Sequence, residues 1–158
     1  MRRSRVLAII AVCVVVFLAI SALLARAFSA DGAERSAITS LVQEEARGDV
    51  SAAVDRIQNC KGDPACQALI TANAVALKRS GSGSVSVLQL EPSTGFSLGS
   101  TLGTARVAFR IGESRPIVQC VRVRRAGSVI SGLRVELLSV SAPKKGDATC
   151  PGRTNGGP

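Results

Sequence analysis

Five arginines in the second half of the chain alternate with apolar residues, within segments that have the period of β-strands. They are Arg106, Arg110, Arg122, Arg124 and Arg134, and they fall on three such segments. Because successive side chains of a strand point to opposite faces, antiparallel pairing of these strands would place the five guanidinium groups on one face of a sheet. Like charges on neighbouring strands repel, so an anionic partner would stabilise such a face. The pattern predicts an anion-binding surface, and an ordinary solvated face is the alternative.

Four cysteines lie outside the apolar N-terminal segment. They are Cys60, Cys66, Cys120 and Cys150, and their even number is typical of an oxidising compartment. Three pairings are open. We favour Cys60 with Cys66, which bracket a tight Lys-Gly-Asp-Pro-Ala turn, and Cys120 with Cys150, which would hold the C-terminal tail to a strand. Structural bridges are expected, since neither pair has the spacing of a redox-active or zinc-binding motif.

The chain contains no histidine, which excludes Ser-His-Asp and Cys-His catalysis and most catalytic zinc sites. Ser141 and Lys144 match a Ser-x-x-Lys pattern, but Pro143 lies within it and a strand precedes it, so a chance match is the better account. The candidate carboxylates are scattered or point in different directions along a helix, and a solvated surface role is expected for them. This group comprises Glu44, Glu45, Glu91, Glu113 and Glu136. We therefore predict no catalytic, cofactor or metal site, and no enzyme.

Residues 6–24 form an uncharged apolar run that follows Arg2, Arg3 and Arg5. As a helix this run would be about 28 Å long, close to the roughly 30 Å of a bilayer's hydrocarbon core. The flanking arginines predict a cytoplasmic N-terminus at residues 1–5, a transmembrane helix at 6–26, and a C-terminal part outside the cell. A cleaved signal peptide is the alternative, since Ala25-Arg26-Ala27 has a small-x-small form, and the protein would then be secreted.

The basic excess of the exported part lies in its second half, where residues 84–158 hold ten basic and four acidic groups. An anionic neighbour, such as a lipid headgroup, a wall polymer or an acidic protein, fits this charge. Nucleic acid does not, because the chain has no Trp, no Tyr and only four Phe on which bases could stack.

Hydrophobic periodicity predicts helices in the first half of the exported part. One covers residues 36–47 and ends at Gly48, and a second begins after Asp49 and ends near Asn59 and Cys60. A third begins at Asp63-Pro64, where the aspartate can cap the helix, and ends near residue 80.

The second half reads as strands at residues 84–90, 105–111, 117–125 and 133–137. Residues 93–103 are predicted as a loop and Ala126-Gly127 as a turn. We expect one α+β domain over residues 27–142, with two or three helices packed on an antiparallel sheet of about four strands. Residues 143–158 should form a flexible tail, tethered at Cys150.

The junction from Cys60 to Cys66 and the runs at residues 118–127 and 132–143 resemble those of single-pass membrane proteins of high-GC actinobacteria with small cystatin-like or NTF2-like ectodomains. The resemblance implies a curved sheet wrapped around a helix, which can leave a pocket, and it implies no activity. The sequence thus predicts a membrane-anchored extracytoplasmic binding or assembly module that contacts an anionic surface or partner. The alternative is a small-molecule pocket between sheet and helices, as in a carrier or a degenerate enzyme.

Overall fold

The computed structural model describes residues 2–80, 83–93, 101–128 and 132–151. Side chains are described at residues 10–22, 31–80, 83–93, 101–126 and 134–151.

The first element is one continuous helix, α1 (Arg2–Arg47). The sequence predicts two helices here, over residues 6–26 and 36–47, and that separation is wrong. Residues 25–35 contain no proline and only Gly32 as a poor helix former, which costs about 1 kcal/mol and does not stop a long helix. Gly48 ends it with a φ of +76°, a conformation that favours glycine. Within the described part of the chain, no helix is long and apolar enough to cross a membrane.

Two shorter helices follow, each begun by an aspartate cap as predicted. Asp49 accepts a hydrogen bond from the Ala52 amide at the start of α2 (Val50–Arg56). After a short 3₁₀ helix (Cys60–Gly62), Asp63 accepts from the amides of Ala65 and Cys66 at the start of α3 (Pro64–Ser80). These bonds satisfy amides that have no partner inside a helix.

The helix α2 ends earlier than the sequence predicts, at Arg56 instead of near Cys60. Ile57 is extended, forms a parallel bridge with Leu137, and is followed by Gln58, whose amide donates to the Leu137 carbonyl at 2.8 Å. The chain leaves the helix here because it joins the edge of the sheet.

The sheet is antiparallel, with strand order β1 (Val85–Glu91), β2 (Thr101–Ile111), β3 (Ile117–Ser128) and β4 (Gly132–Val140). The predicted α+β class and its sheet of about four strands are confirmed. The turn predicted at Ala126-Gly127 is wrong, because β3 continues to Ser128, which pairs with Gly132.

A short fifth strand, β5 (Lys144–Lys145), pairs with Ile117 and Val118 of β3. It continues the line of β4, whose last residue Val140 lies opposite Val121. Residues 144–145, which the sequence places in a flexible tail, thus form a strand. Residues 152–158 lie outside the described part of the chain.

The register divides the sheet into two faces. The core face carries Val107 and Phe109 of β2 with their partners Gln119 and Ile117 of β3, all buried. Helices cover this face, and α1 contributes Ile38, Leu41 and Val42 to one apolar cluster with it. The opposite surface, which carries Arg106 and its partner Cys120, is called the outer face below.

Candidate functional site

The five predicted arginines do lie on one face of the sheet. Arg106 pairs in register with Cys120, Arg122 with Thr104 and Ser139, and Arg124 with Glu136. Arg110 lies opposite Ser86 and Arg134 opposite Ala126, in the same phase of the strand alternation. The array is therefore on the outer face, away from the helices, but its five members differ in what they contact.

Arg106 forms its hydrogen bonds within the domain. Its side chain is only 14% exposed, and its guanidinium donates to the carbonyls of Gly146 at 2.9 Å and Ala148 at 3.0 Å. These two bonds hold the C-terminal segment, residues 146–150, across the outer face. The sequence pattern predicts Arg106 as part of an anion-binding face, with a solvated face as the alternative. In the structure its Nε and Nη2 donate to backbone carbonyls, and its Nη1 lies 4.0 Å from Glu91 Oε1.

Arg124 is also occupied. Its Nε donates to Glu136 on β4 at 2.6 Å, and its Nη2 donates to the side-chain oxygen of Gln58 at 2.7 Å. Glu136 is the cross-strand partner of Arg124, so the pair stabilises the register of β3 and β4.

The other three arginines, Arg110, Arg122 and Arg134, are exposed, and none of them forms an ion pair or hydrogen bond with a described residue. Arg122 differs from the other two because it lines a groove. Together with Lys144 it contributes two cations to a depression of about 540 Å³ on the outer face. We call this depression the outer-face groove, and its polar lining consists of Thr104, Arg122, Ser139, Ser141 and Lys144.

The second predicted disulfide fixes one wall of this groove. Cys120 lies in the groove lining and is bonded to Cys150, and the next residue, Pro151, also lines it. The first bridge, Cys60 with Cys66, closes the junction before α3. Both bridges match the pairing favoured from the sequence.

The Ser141 hydroxyl is not free to act as a nucleophile. It donates to the Ala142 carbonyl at 3.0 Å and accepts from the Cys120 amide at 3.0 Å. Among the described contacts none joins Ser141 to Lys144. The Ser-x-x-Lys match thus reflects a structural serine that continues the sheet between β4 and β5.

The structure contains a buried ion-pair cluster that is not among the predictions from the sequence. Glu34 is fully buried and accepts from the guanidinium of Arg125, whose other nitrogen bonds Asp31 at 2.7 Å. Glu34 also accepts from the amide of Ser93 at 2.7 Å and from its hydroxyl at 3.0 Å. Strand alternation does indicate an inward Arg125, because this residue points to the same face of β3 as the buried residues Val121 and Val123.

A second buried carboxylate lies three helical turns further along α1. Glu45 is fully buried and accepts from the amide groups of Asn73 at 3.1 Å and Gln119 at 2.8 Å. Burial raises the pKa of Glu45, and these two hydrogen bonds oppose the rise. The predicted solvated role is wrong for this residue, because it lies in the phase of the apolar stripe Ile38, Leu41 and Val42.

Among the described residues, the clefts on the helix side of the domain are open to solvent. One of about 340 Å³ lies between the start of α3 and β4, lined by apolar residues such as Leu69 and Leu138. The space between α1 and the core face is filled by the apolar cluster described above. Within the described residues, no group of three or more metal-ligating side chains could hold an ion.

Comparison with known proteins found no matching family, no matching curated protein and no matching solved structure. The resemblance to cystatin-like and NTF2-like ectodomains stays a prediction from the sequence.

Proposed function

We propose that this protein is a membrane-anchored binding module that presents its α+β domain outside the cell and binds an anionic group in the outer-face groove. The observation that carries the proposal is the pairing of Arg122 and Lys144 in one groove, both without a charged partner among the described residues. The neighbouring arginines Arg106 and Arg124 are satisfied within the domain.

The anchor in this proposal is the apolar half of α1. Every residue from 10 to 20 is apolar and exposed, and Val15, Phe17 and Leu18 are 60% or more exposed. No described residue of the domain covers these side chains, on any side of the helix. Contact with lipid would remove this apolar surface from water at a gain of about 25 cal/mol per Å². The full apolar run, residues 6–24, has the length of a span.

The two disulfides support placement of the domain outside the cell. Such bridges form and persist in oxidising compartments and are rare in the cytosol. The arginines before the apolar run, Arg2, Arg3 and Arg5, favour a cytoplasmic N-terminus, which gives the same topology.

The groove suits a carboxylate or phosphate group. A guanidinium can donate two parallel hydrogen bonds to either group, and an ammonium adds a second positive charge. The Thr104 and Ser139 side chains supply hydroxyls beside them. The groove is open along the sheet, which fits one unit of a larger anionic chain better than an enclosed small molecule.

The test compares two double variants of identical net charge. Full-length protein in nanodiscs of phosphatidylcholine would be titrated with poly(glycerol phosphate), poly-L-glutamate and neutral dextran, at low and high salt. Arg122→Ser with Lys144→Ser should weaken polyanion binding about tenfold or more, a change of roughly 1.4 kcal/mol. Arg115→Ser with Lys145→Ser changes two exposed cations outside the groove and should weaken it far less.

Equal losses in the two double variants would reject the groove, because only general charge would then matter. Binding that is insensitive to salt, or equal for dextran, would reject anion recognition altogether.

A further inference from the structure

The direction of α1 relative to the sheet fixes which end of the domain is nearest the anchor. Glu34 contacts Arg125 of β3, and Glu45, eleven residues later, contacts Gln119, six residues earlier on the same strand. Eleven helical residues span about 16 Å and six strand residues about 20 Å. Since these lengths are nearly equal, α1 and β3 run close to antiparallel. The last residues of β3 therefore point back along α1 toward its N-terminal half.

The helix also has no linker between the apolar run and the domain. The run ends at Leu24, and the first described contact with the sheet is made by Asp31 within the same continuous helix. Seven helical residues span about 10 Å. Arg125 therefore lies about 10 Å beyond the end of the apolar run, measured along the helix.

Beyond Arg125 the strand continues toward the anchor for three more residues, to Ser128, which pairs with Gly132. Three strand residues span about 10 Å. The paired ends of β3 and β4 thus come back to the level where the apolar run ends. In a bilayer this is the headgroup layer, which extends roughly 6 Å beyond the hydrocarbon on each side.

Arg134 lies on β4 two residues beyond Gly132, opposite Ala126 and about 7 Å from this level. Its side chain is exposed and bonds no described residue. A long arginine side chain can extend toward the interface while its stem stays on the protein surface. The position and the charge both fit lipid phosphate, and basic residues close to a membrane surface are attracted by anionic lipids.

We infer that the end of the sheet formed by Ser128 and Gly132 rests in the headgroup layer of the bilayer that holds α1, and that Arg134 binds lipid phosphate there. This inference depends on the proposed membrane anchor. It goes beyond that proposal because it fixes the orientation of the domain on the membrane, and it assigns Arg134 and the outer-face groove to different partners. The groove lies further along the sheet and is therefore farther from the lipid than Arg134.

The chain contains no tryptophan, so a single introduced tryptophan is a clean fluorescent probe. Full-length Val15→Trp, Ser128→Trp and Val75→Trp would be placed in nanodiscs with lipids that carry either bromine on the acyl chain or a nitroxide on the headgroup. Val75 is exposed on α3, near the end of the domain where Asn73 contacts Glu45. We expect acyl bromine to quench Val15→Trp, the headgroup nitroxide to quench Ser128→Trp, and neither to quench Val75→Trp.

This experiment distinguishes a failure of the proposed anchor from a failure of the inferred orientation. If Val15→Trp escapes acyl bromine, the anchor is wrong and the proposed function falls with it. If Val15→Trp is quenched but Ser128→Trp is quenched no more than Val75→Trp, the anchor stands and the inferred orientation is overturned.

Three further variants, each combined with Ser128→Trp, test the link between the helix and the sheet and the role of Arg134. Insertion of Gly-Ser-Gly-Ser after Ala27 should break the rigid link, so that Ser128→Trp loses its quenching while Val15→Trp keeps it. Replacing Arg134 with Ser should weaken Ser128→Trp quenching in nanodiscs that contain phosphatidylglycerol. Arg110→Ser, on the same face at the far end of β2, should not. Equal behaviour of the two arginine variants would remove Arg134 from the lipid contact.

Discussion

Arg125 and Glu34 form an ion pair that joins residues 91 positions apart, with the carboxylate fully buried and the Arg125 side chain only 13% exposed. Arg125 Nε donates to Glu34 Oε2 at 2.7 Å, between the core face of the sheet and the helix that carries the apolar segment. The pair therefore couples the sheet to the helix whose apolar half is the proposed anchor.

Loss of Arg125 should destabilise the domain strongly. Arg125→Ala leaves the Glu34 charge buried, with Ser93 as its one remaining partner among the described residues, and should lower the free energy of unfolding by roughly 3 kcal/mol. Arg124→Ala, which breaks a more exposed pair with Glu136, should cost about 1 kcal/mol or less. Urea unfolding of the full chain in detergent micelles, followed by circular dichroism, measures both.

We attribute this difference to the buried charge of Glu34. The double variant Glu34→Gln with Arg125→Ala should therefore be more stable than Arg125→Ala alone. An Arg125→Ala variant no less stable than Arg124→Ala would refute the role of the buried pair.

Glu45 should make stability depend on pH. Its pKa is raised in the folded protein, mainly by burial, so the folded state binds this proton more tightly than the unfolded state. The stabilisation is present when the pH is below the ordinary pKa of glutamate, and it is lost as the pH rises through that pKa and through the raised pKa of the folded protein. Glu45→Gln keeps a group that can bond Asn73 and Gln119, and it should flatten this dependence.

Urea midpoints between about pH 4 and about pH 8 check the effect. Glu113→Gln, at an exposed position, is the matched control and should keep the wild-type slope. A Glu45→Gln variant that keeps the wild-type slope would contradict the assignment.

Gly103 should tolerate no side chain, because a Cβ there would lie 2.5 Å from the Cβ of Ser93. Gly103→Ala should destabilise the domain by roughly 1–3 kcal/mol, since it displaces the serine that bonds Glu34. Gly32→Ala meets no atom within 4 Å on an exposed part of α1, and it should stabilise the protein by roughly 0.5–1 kcal/mol.

Ser93→Gly removes the contact atom, so the double variant with Gly103→Ala should be more stable than the sum of the two single effects predicts. Strict additivity in thermal unfolding would show that the contact is unimportant.

The two disulfides should contribute unequally. Cys120 and Cys150 close a loop of 30 residues, whose chain entropy corresponds to roughly 4 kcal/mol, whereas the six-residue separation of Cys60 and Cys66 corresponds to roughly 2 kcal/mol. Cys150→Ser should also weaken polyanion binding, because Pro151 and Lys144 line the groove beside this bridge.

Cys66→Ser, compared by the same titration, should leave polyanion binding unchanged, since its bridge lies outside the groove. Equal binding by Cys150→Ser and the wild type would show that the C-terminal segment does not shape the site.

Much of the candidate site could be predicted from the sequence because it depends on local rules. Alternation along β2, β3 and β4 places Arg106, Arg122 and Arg134 on one face whatever the rest of the fold does. The free arginines could not be separated from the bonded ones in this way. Arg106 donates to carbonyls that lie 40 and 42 residues away in the sequence, and no local pattern predicts a contact over such a separation.

The sequence by itself determined the helix caps at Asp49 and Asp63, the α+β class and the shared arginine face, because capping and periodicity act within a few residues. Only the tertiary structure decided that α1 is continuous into the core, that Glu34 and Glu45 are buried, and that Arg122 and Lys144 meet in one groove. These features arise where distant segments pack together, and the burial of a charge depends on what each segment finds opposite it.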